Sequence, residues 1–290
     1  MKTKAFFQLA LYILLLAGFG CEEKNDLINF NRPEFNTLKI DSTYQGDGND
    51  SIQKKNVLLE DFTGVRCVNC PRAQAEAKKI QQANPARVIV SAIHVTDFAR
   101  KYNESKYDFQ TVDGRNLHAY LGGETSLPVG TIDRKIFGSN KTPFVYDYQW
   151  KSLVSQQLAL VPPVNITFMQ KDYNTGNRTC KIKIKIVYTK DVSSPQYISA
   201  FVTEDNFTDL QLTPSGVDSN YKHTHVFRAI MQPSTGLKLA DNCRKGQTFI
   251  ISLNAKLPDN WKEDECNLAA FIHERQDKFE VAQVQETHIK

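Results

Sequence analysis

The apolar positions of this chain change period twice. Residues 57–62 and 88–95 are near-continuous apolar runs, the pattern of strands covered on both faces. Between them, residues 71–84 are rich in Ala, Lys and Gln, which favour a helix, and Pro71 suits its first turn. A short helix is expected near 114–121, a strand at 129–134, and a helix at 144–160 with Tyr148, Leu153, Val154 and Leu158 on its apolar side. Val161-Pro162-Pro163 stops that helix. Beyond it the period falls to two. In residues 179–188 Ile182, Ile184 and Ile186 alternate with Lys181, Lys183 and Lys185, so the isoleucines face a core and the lysines water. Further strands are expected at 164–170, 196–204, 223–232, 247–253, 266–274 and 279–285.

These periods divide the chain into an α/β domain at 56–160 and an all-β domain at 161–290. Seven short strands separated by Gly, Pro and Asn turns predict an immunoglobulin-like β-sandwich for the second. Residues 21–55, rich in Asn, Asp, Gly and Ser, read as a flexible tether, with Leu38 and Ile40 able to form a short extra strand. Residues 1–20 have the pattern of a signal peptide: two lysines, an apolar run too short to span a membrane, then Ala-Gly-Phe-Gly. Small residues directly before Cys21 resemble a bacterial lipobox, which implies lipidation of Cys21 and a membrane tether of acyl chains. Glu22-Glu23 resembles the signal that sends some lipoproteins to the cell surface.

Charge adds little. The net +4 includes Lys2 and Lys4 of the signal, and nothing in the remainder calls for nucleic acid. No Gly-x-Ser-x-Gly, His-Glu-x-x-His or phosphate-binding glycine loop is present, which removes the common hydrolase and nucleotide readings and leaves no cofactor implied.

The chemistry concentrates where the first apolar run meets the first helix, at Cys67-Val-Asn-Cys70. Unpaired N–H groups and the positive end of a helix stabilise a thiolate, so Cys67 is the candidate attacking thiol. Arg66 adds a positive charge, and Cys70 is near enough to close a short disulfide and release a partner. Strand, turn, Cys-x-x-Cys and helix resemble the thioredoxin-like fold. That resemblance implies that Asp61, six residues before Cys67, is a buried acid serving Cys70. It also implies that Ser126-Leu127-Pro128-Val129 is a cis-proline loop whose Leu127 and Pro128 hold a partner polypeptide. Glu-Asp-Phe-Thr-Gly before Cys-x-x-Cys-Pro, with a lipoprotein signal ahead and a β-rich half behind, resembles the outer membrane protein 28 family, which implies a lipid-anchored outer-membrane protein.

Two functions follow. In one, the chain is a thiol–disulfide oxidoreductase acting on protein thiols or disulfides of the envelope. In the other, it is a surface adhesion or receptor module binding a protein ligand, its Cys67–Cys70 bond purely structural. Zinc is a weaker account of the pair, since no second Cys-x-x-Cys exists and His223-x-His225 reads as a surface-and-rim pair. Of the remaining cysteines, Cys180 is in phase with the inward isoleucines and Cys266 with Leu268, Ala270 and Ile272. A structural Cys180–Cys266 disulfide is therefore expected, with Cys243 left over. His94 is expected in the core or at its rim, and His118 on an exposed helix face.

Overall fold

The computed structural model describes residues 38–231, 235–275 and 278–290. The signal segment, Cys21 and Glu22-Glu23 lie outside the described residues. The strands are β1 (Lys39–Gln45), β2 (Val57–Thr63), β3 (Val88–His94), β4 (Val129–Ile132), β5 (Val164–Asn174), β6 (Thr179–Tyr188) and β7 (Gln196–Glu204). They continue with β8 (Phe207–Thr213), β9 (Gly216–His223), β10 (Val226–Ile230), β11 (Leu237–Ala240), β12 (Gln247–Lys256), β13 (Cys266–His273) and β14 (Val281–His288). The helices are α1 (Cys70–Ala83), α2 (Val112–Tyr120) and α3 (Asp147–Leu158). None of these helices is long and apolar enough to cross a membrane.

Two sheets face one another in the β-rich half, consistent with a β-sandwich. One has the order β1-β12-β6-β5; the other runs β14-β13-β7-β10-β3-β2-β4, with β11 also on β7. Between them Ile182, Ile184 and Ile186 meet Phe249, Ile251 and Leu253 from one sheet and Ala200, Val202, Leu268 and Ala270 from the other. The lysines between the isoleucines of β6 face outward, as the alternation requires. The spacer reading of 21–55 does not extend to residues 39–45. That stretch pairs antiparallel along β12 and covers an otherwise bare edge, with Leu38 buried at its start.

The longer sheet does not stop at residue 160. β2 and β3 run parallel through the crossover helix α1, and β4 is antiparallel to β2. β10 then lies parallel to β3, with the Ala92 N–H donating to the His225 carbonyl at 2.7 Å. Strands from both halves are thus rungs of one ladder. Buried contacts tie them further: the Asn56 N–H donates to the Gln283 Oε1 at 2.8 Å. Glu60 takes Arg134 at 2.6 and 2.9 Å, and Arg134 lies over the Phe271 ring.

Helix α1 lies on β2 and β3 through Ala73, Ala77 and Ile80; the two alanines let it approach Val57, Leu59, Val88 and Val90 closely. Asn84 caps its end and Pro85 follows, which cannot continue it. The phase of α3 differs from the expected one. Trp150, Val154 and Gln157 are buried, whereas Tyr148 is 75% exposed. Trp150 sets this phase by lying over Gly130 of β4, where a Cβ would stand 2.6 Å from its ring.

Two sequence expectations about cysteine and histidine are corrected. Cys180 and Cys266 both point into the shared core, but they are free thiols, as is Cys243. Ile289 lies between them: its carbonyl faces the Cys180 Sγ at 3.6 Å and its N–H donates to the Cys266 carbonyl at 2.9 Å. The Cys266 thiol turns instead to the Lys262 carbonyl at 3.2 Å. His118 and His223 are not surface residues. Each is buried, His118 with its Nε2 2.6 Å from the Glu124 carbonyl oxygen and against Phe62, and His223 in an aromatic cluster.

Candidate functional site

The apolar strand β2 delivers its last residue, Thr63, into the turn 64–69 that carries the first cysteine. Gly64 is required there. A Cβ would come within 2.5 Å of the Phe98 carbonyl, because the 96–100 turn presses on it and accepts the Arg66 N–H at Phe98 O, 2.8 Å. Cys67 follows, and Cys70 opens α1 with Pro71 next to it. The two cysteines form a disulfide with a Cα separation of 5.4 Å. Cys70 is fully buried and Cys67 only 3% exposed, while Val68 between them is 40% exposed.

Asp61 lies on the same strand face as Leu59 and Thr63, the face on which α1 packs. It is 1% exposed, and its Oδ1 has no hydrogen-bond partner. Burial, and then the nearby Asp147, push its carboxyl well above the usual carboxylate range, so it holds a proton where an ordinary aspartate would not. Asp147 itself is paired with Arg72 of α1. Thr63 accepts from Gln74 at 3.2 Å, and Gln74 in turn accepts from the Tyr221 hydroxyl at 2.5 Å. Burial, with Asp61 and Asp218 contributing, pushes the Tyr221 phenol up to about 12.

The other expected residues divide. The Leu127–Pro128 peptide is cis. Val129 pairs with Phe62, so the register sets Pro128 beside the end of β2 where the cysteine turn begins. Arg66 is directed elsewhere. Its guanidinium donates to the Arg100 and Lys101 carbonyls and lies 4.0 Å from the centre of the Tyr102 ring, so it fastens a neighbouring loop.

Sequence reasoning missed the hairpin β8–β9, reading residues 205–222 as a connection. This hairpin forms its own two-stranded sheet and packs over the cysteine turn. Its inward positions are Phe207, Asp209 and Gln211, which alternate as a strand should although two of them are polar. Asp209 accepts the N–H groups of Lys106 and Tyr107, and Gln211 donates to the carbonyls of Gly64 and Cys67. The signal available in the sequence was that alternation, followed by Thr-Pro-Ser-Gly at 213–216.

At the base of the hairpin His94 and His223 stand 5.9 Å apart, each against Phe109. Burial holds both neutral, pushing His223 down to about 4 and His94 well below the usual imidazole range. Two imidazoles alone do not make a structural zinc site, and among the described residues no third ligand joins them.

Against known proteins, the sequence model of the family described as outer membrane protein Omp28 matches residues 117–290, more than half of the chain. No curated protein matches. Among solved structures, HBP35 of Porphyromonas gingivalis is similar at 18% identity and a TM-score of 0.63, covering 83% of this chain and 77% of that one. A structural-genomics target from Agrobacterium tumefaciens is similar at 13% identity and a TM-score of 0.52, covering 83% of this chain and 97% of its own. At these identities the likeness concerns the fold alone.

Proposed function

Because the chain belongs to the family of outer membrane protein Omp28, we propose that it works at the outer membrane as a thiol–disulfide exchange protein. In this reading it is held by a lipidated Cys21, and its Cys67–Cys70 pair acts on envelope or surface polypeptides. The order β2, α1, β3, then an antiparallel β4 followed by α3, supports a thioredoxin-like scaffold for that pair. The observation that carries the proposal is the dithiol site itself. A disulfide spans the junction of β2 and α1, and a proton-holding Asp61 with an unpartnered Oδ1 sits on the strand face beneath that helix.

The chemistry balances without a cofactor. A partner thiolate attacks the Cys67 Sγ, forming a mixed disulfide and expelling Cys70 as a thiolate. Asp61 gives that thiolate its proton. The partner's second thiol passes its proton to Asp61 and attacks the partner sulfur of the mixed disulfide, so that Cys67 leaves and takes up the first thiol's proton. Two electrons and two protons pass from the partner dithiol to Cys67 and Cys70. Leu127 and Pro128, beside the turn, would bear on the partner chain.

The test is oxidation of a reduced, unfolded dithiol substrate by the purified chain, with a Cys67→Ser, Cys70→Ser double variant alongside. Turnover of the substrate by the wild type alone is expected, with a potential in the range of catalytic dithiols, roughly −120 to −270 mV. A wild-type rate no greater than that of the variant overturns the reading. The near-complete burial of Cys67 favours a second reading, a surface binding module with a structural disulfide. Ligand binding that persists in the double variant would support it.

A further inference from the structure

The β8–β9 hairpin holds the cysteine turn by its backbone acceptors. Gln211 Nε2 lies 3.2 Å from the Gly64 carbonyl, 3.2 Å from the Cys67 carbonyl and 3.0 Å from the Leu212 carbonyl. The Leu212 N–H donates to the Val65 carbonyl at 2.8 Å. The Tyr221 hydroxyl fixes the second strand to Gln74 of α1. Three acceptor sites of the turn, at residues 64, 65 and 67, are thereby engaged by one segment of the same chain.

Two features set this contact apart from ordinary packing. First, the hairpin is not stitched into either large sheet; it is a separate pair of strands whose second strand is exposed along most of its length. An isolated two-stranded hairpin has little stability of its own, so its position depends on these few bonds, on the Asp209 carboxylate that accepts the Lys106 and Tyr107 N–H groups, and on Phe207 and His223 at its base. Second, Gln211 is fully buried and its Oε1 has no partner. Its two amide protons are shared among three carbonyls, and the oxygen carries an uncompensated desolvation cost. A leucine of similar size would remove that cost but also take the donor from the Gly64, Cys67 and Leu212 carbonyls, so what the glutamine supplies here is a hold on the turn.

We propose that β8–β9 is a strap over the dithiol site and that Gln211 is its positioning residue: protein thiols reach Cys67 only when the strap lifts. Lifting frees the Val65 carbonyl, and one lone pair each of the Gly64 and Cys67 carbonyls that also accept the Cys67 and Cys70 N–H groups, to accept the amides of an extended polypeptide, so the partner class is an unfolded or extended chain rather than a small thiol. The biological meaning rests on the exchange reading above, but the test does not require it.

The intact, oxidised chain is treated with either TCEP or reduced thioredoxin, and reduction of Cys67–Cys70 is followed by alkylation and mass spectrometry. Gln211→Ala is expected to accelerate reduction by thioredoxin at least tenfold and Tyr221→Phe about threefold, with reduction by TCEP changed less than threefold. An unchanged thioredoxin rate in Gln211→Ala overturns the strap. Equal acceleration with TCEP overturns it too, since that marks general loosening. Should the variants not fold, hydrogen exchange on the wild type decides. The Leu212 amide should exchange much faster than the amides of β2, and equal protection overturns the proposal. If Gln211→Ala gains reactivity while neither protein oxidises a substrate, the strap stands and the exchange reading falls.

Discussion

The interior between the two sheets and the buried region around the cysteine turn are built on opposite terms. The first is hydrocarbon with three thiols in it, and burial pushes Cys180 and Cys243 up to about 11. A thiol so placed is neutral and unreactive at any ordinary pH. The second holds Asp61, Thr63, Gln211, His94 and His223 beside the disulfide, several of them with unpartnered atoms. Burial is therefore not what separates the inert cysteines from the paired ones. The separation comes from the backbone: Cys180 and Cys266 belong to regular strands, whereas Cys67 lies in a turn whose carbonyls have no ladder to join. An apolar core stabilises, and a polar one of this kind is retained at a cost.

The largest expected effect is on the apolar side. Phe249→Ala removes a fully buried ring from the sandwich and should cost about 3–5 kcal/mol in urea unfolding. A loss below about 1 kcal/mol would mean that this interior is loosely packed and the contrast overstated.

The next effect is on acid stability. His94 and His223 have folded pKa values below the unfolded value near 6.5, so below that pH the unfolded chain binds protons that the folded one refuses. Stability should be complete above 6.5 and fall by roughly 1.4 kcal/mol per unit for each histidine as the pH drops, for His223 until about 4. His223→Phe should flatten that slope measurably in urea midpoints between pH 7 and 4.5; an unaltered slope would assign the acid sensitivity elsewhere.

Asp61 should act in the opposite sense and more modestly. Its carboxyl is raised in the folded state, so stability is highest below the ordinary carboxylate pKa and is lost as pH rises toward the folded value. Asp61→Asn should stabilise the protein at pH 7 by about 1–2 kcal/mol and give no advantage near pH 4, while slowing exchange by Cys67–Cys70 about tenfold. Faster or equal exchange in this variant would remove Asp61 from the chemistry and leave it merely a buried acid.

Much of this was legible because the relevant patterns are local. The runs 57–62 and 88–95, the alanine-rich helix after Pro71 and the isoleucine–lysine alternation of β6 each declare their element within a few residues. What the sequence concealed depends on distant partners. Asp209 and Gln211 occupy inward strand positions, yet their polarity makes 207–213 look like a loop until the N–H groups of 106 and 107 and the carbonyls of 64 and 67 come into view. Tyr148 and Trp150 compete for the inner side of α3, and only the bare backbone of Gly130 decides for Trp150. Cys180 and Cys266 share a core in the right phase, and the interposed Ile289 is invisible from their spacing.

The pairing of β10 with β3 bears on how the gene for this protein can be cut. Expressing residues 56–160 alone would strip β3 of its neighbour and leave an apolar, bare-edged rung in the middle of the former ladder, an invitation to intermolecular pairing. The missing hairpin would also leave the cysteine turn unfastened. Any attempt to isolate the Cys67–Cys70 site in miniature should therefore carry β7, β10 and residues 205–225 with it, or else expect inclusion bodies.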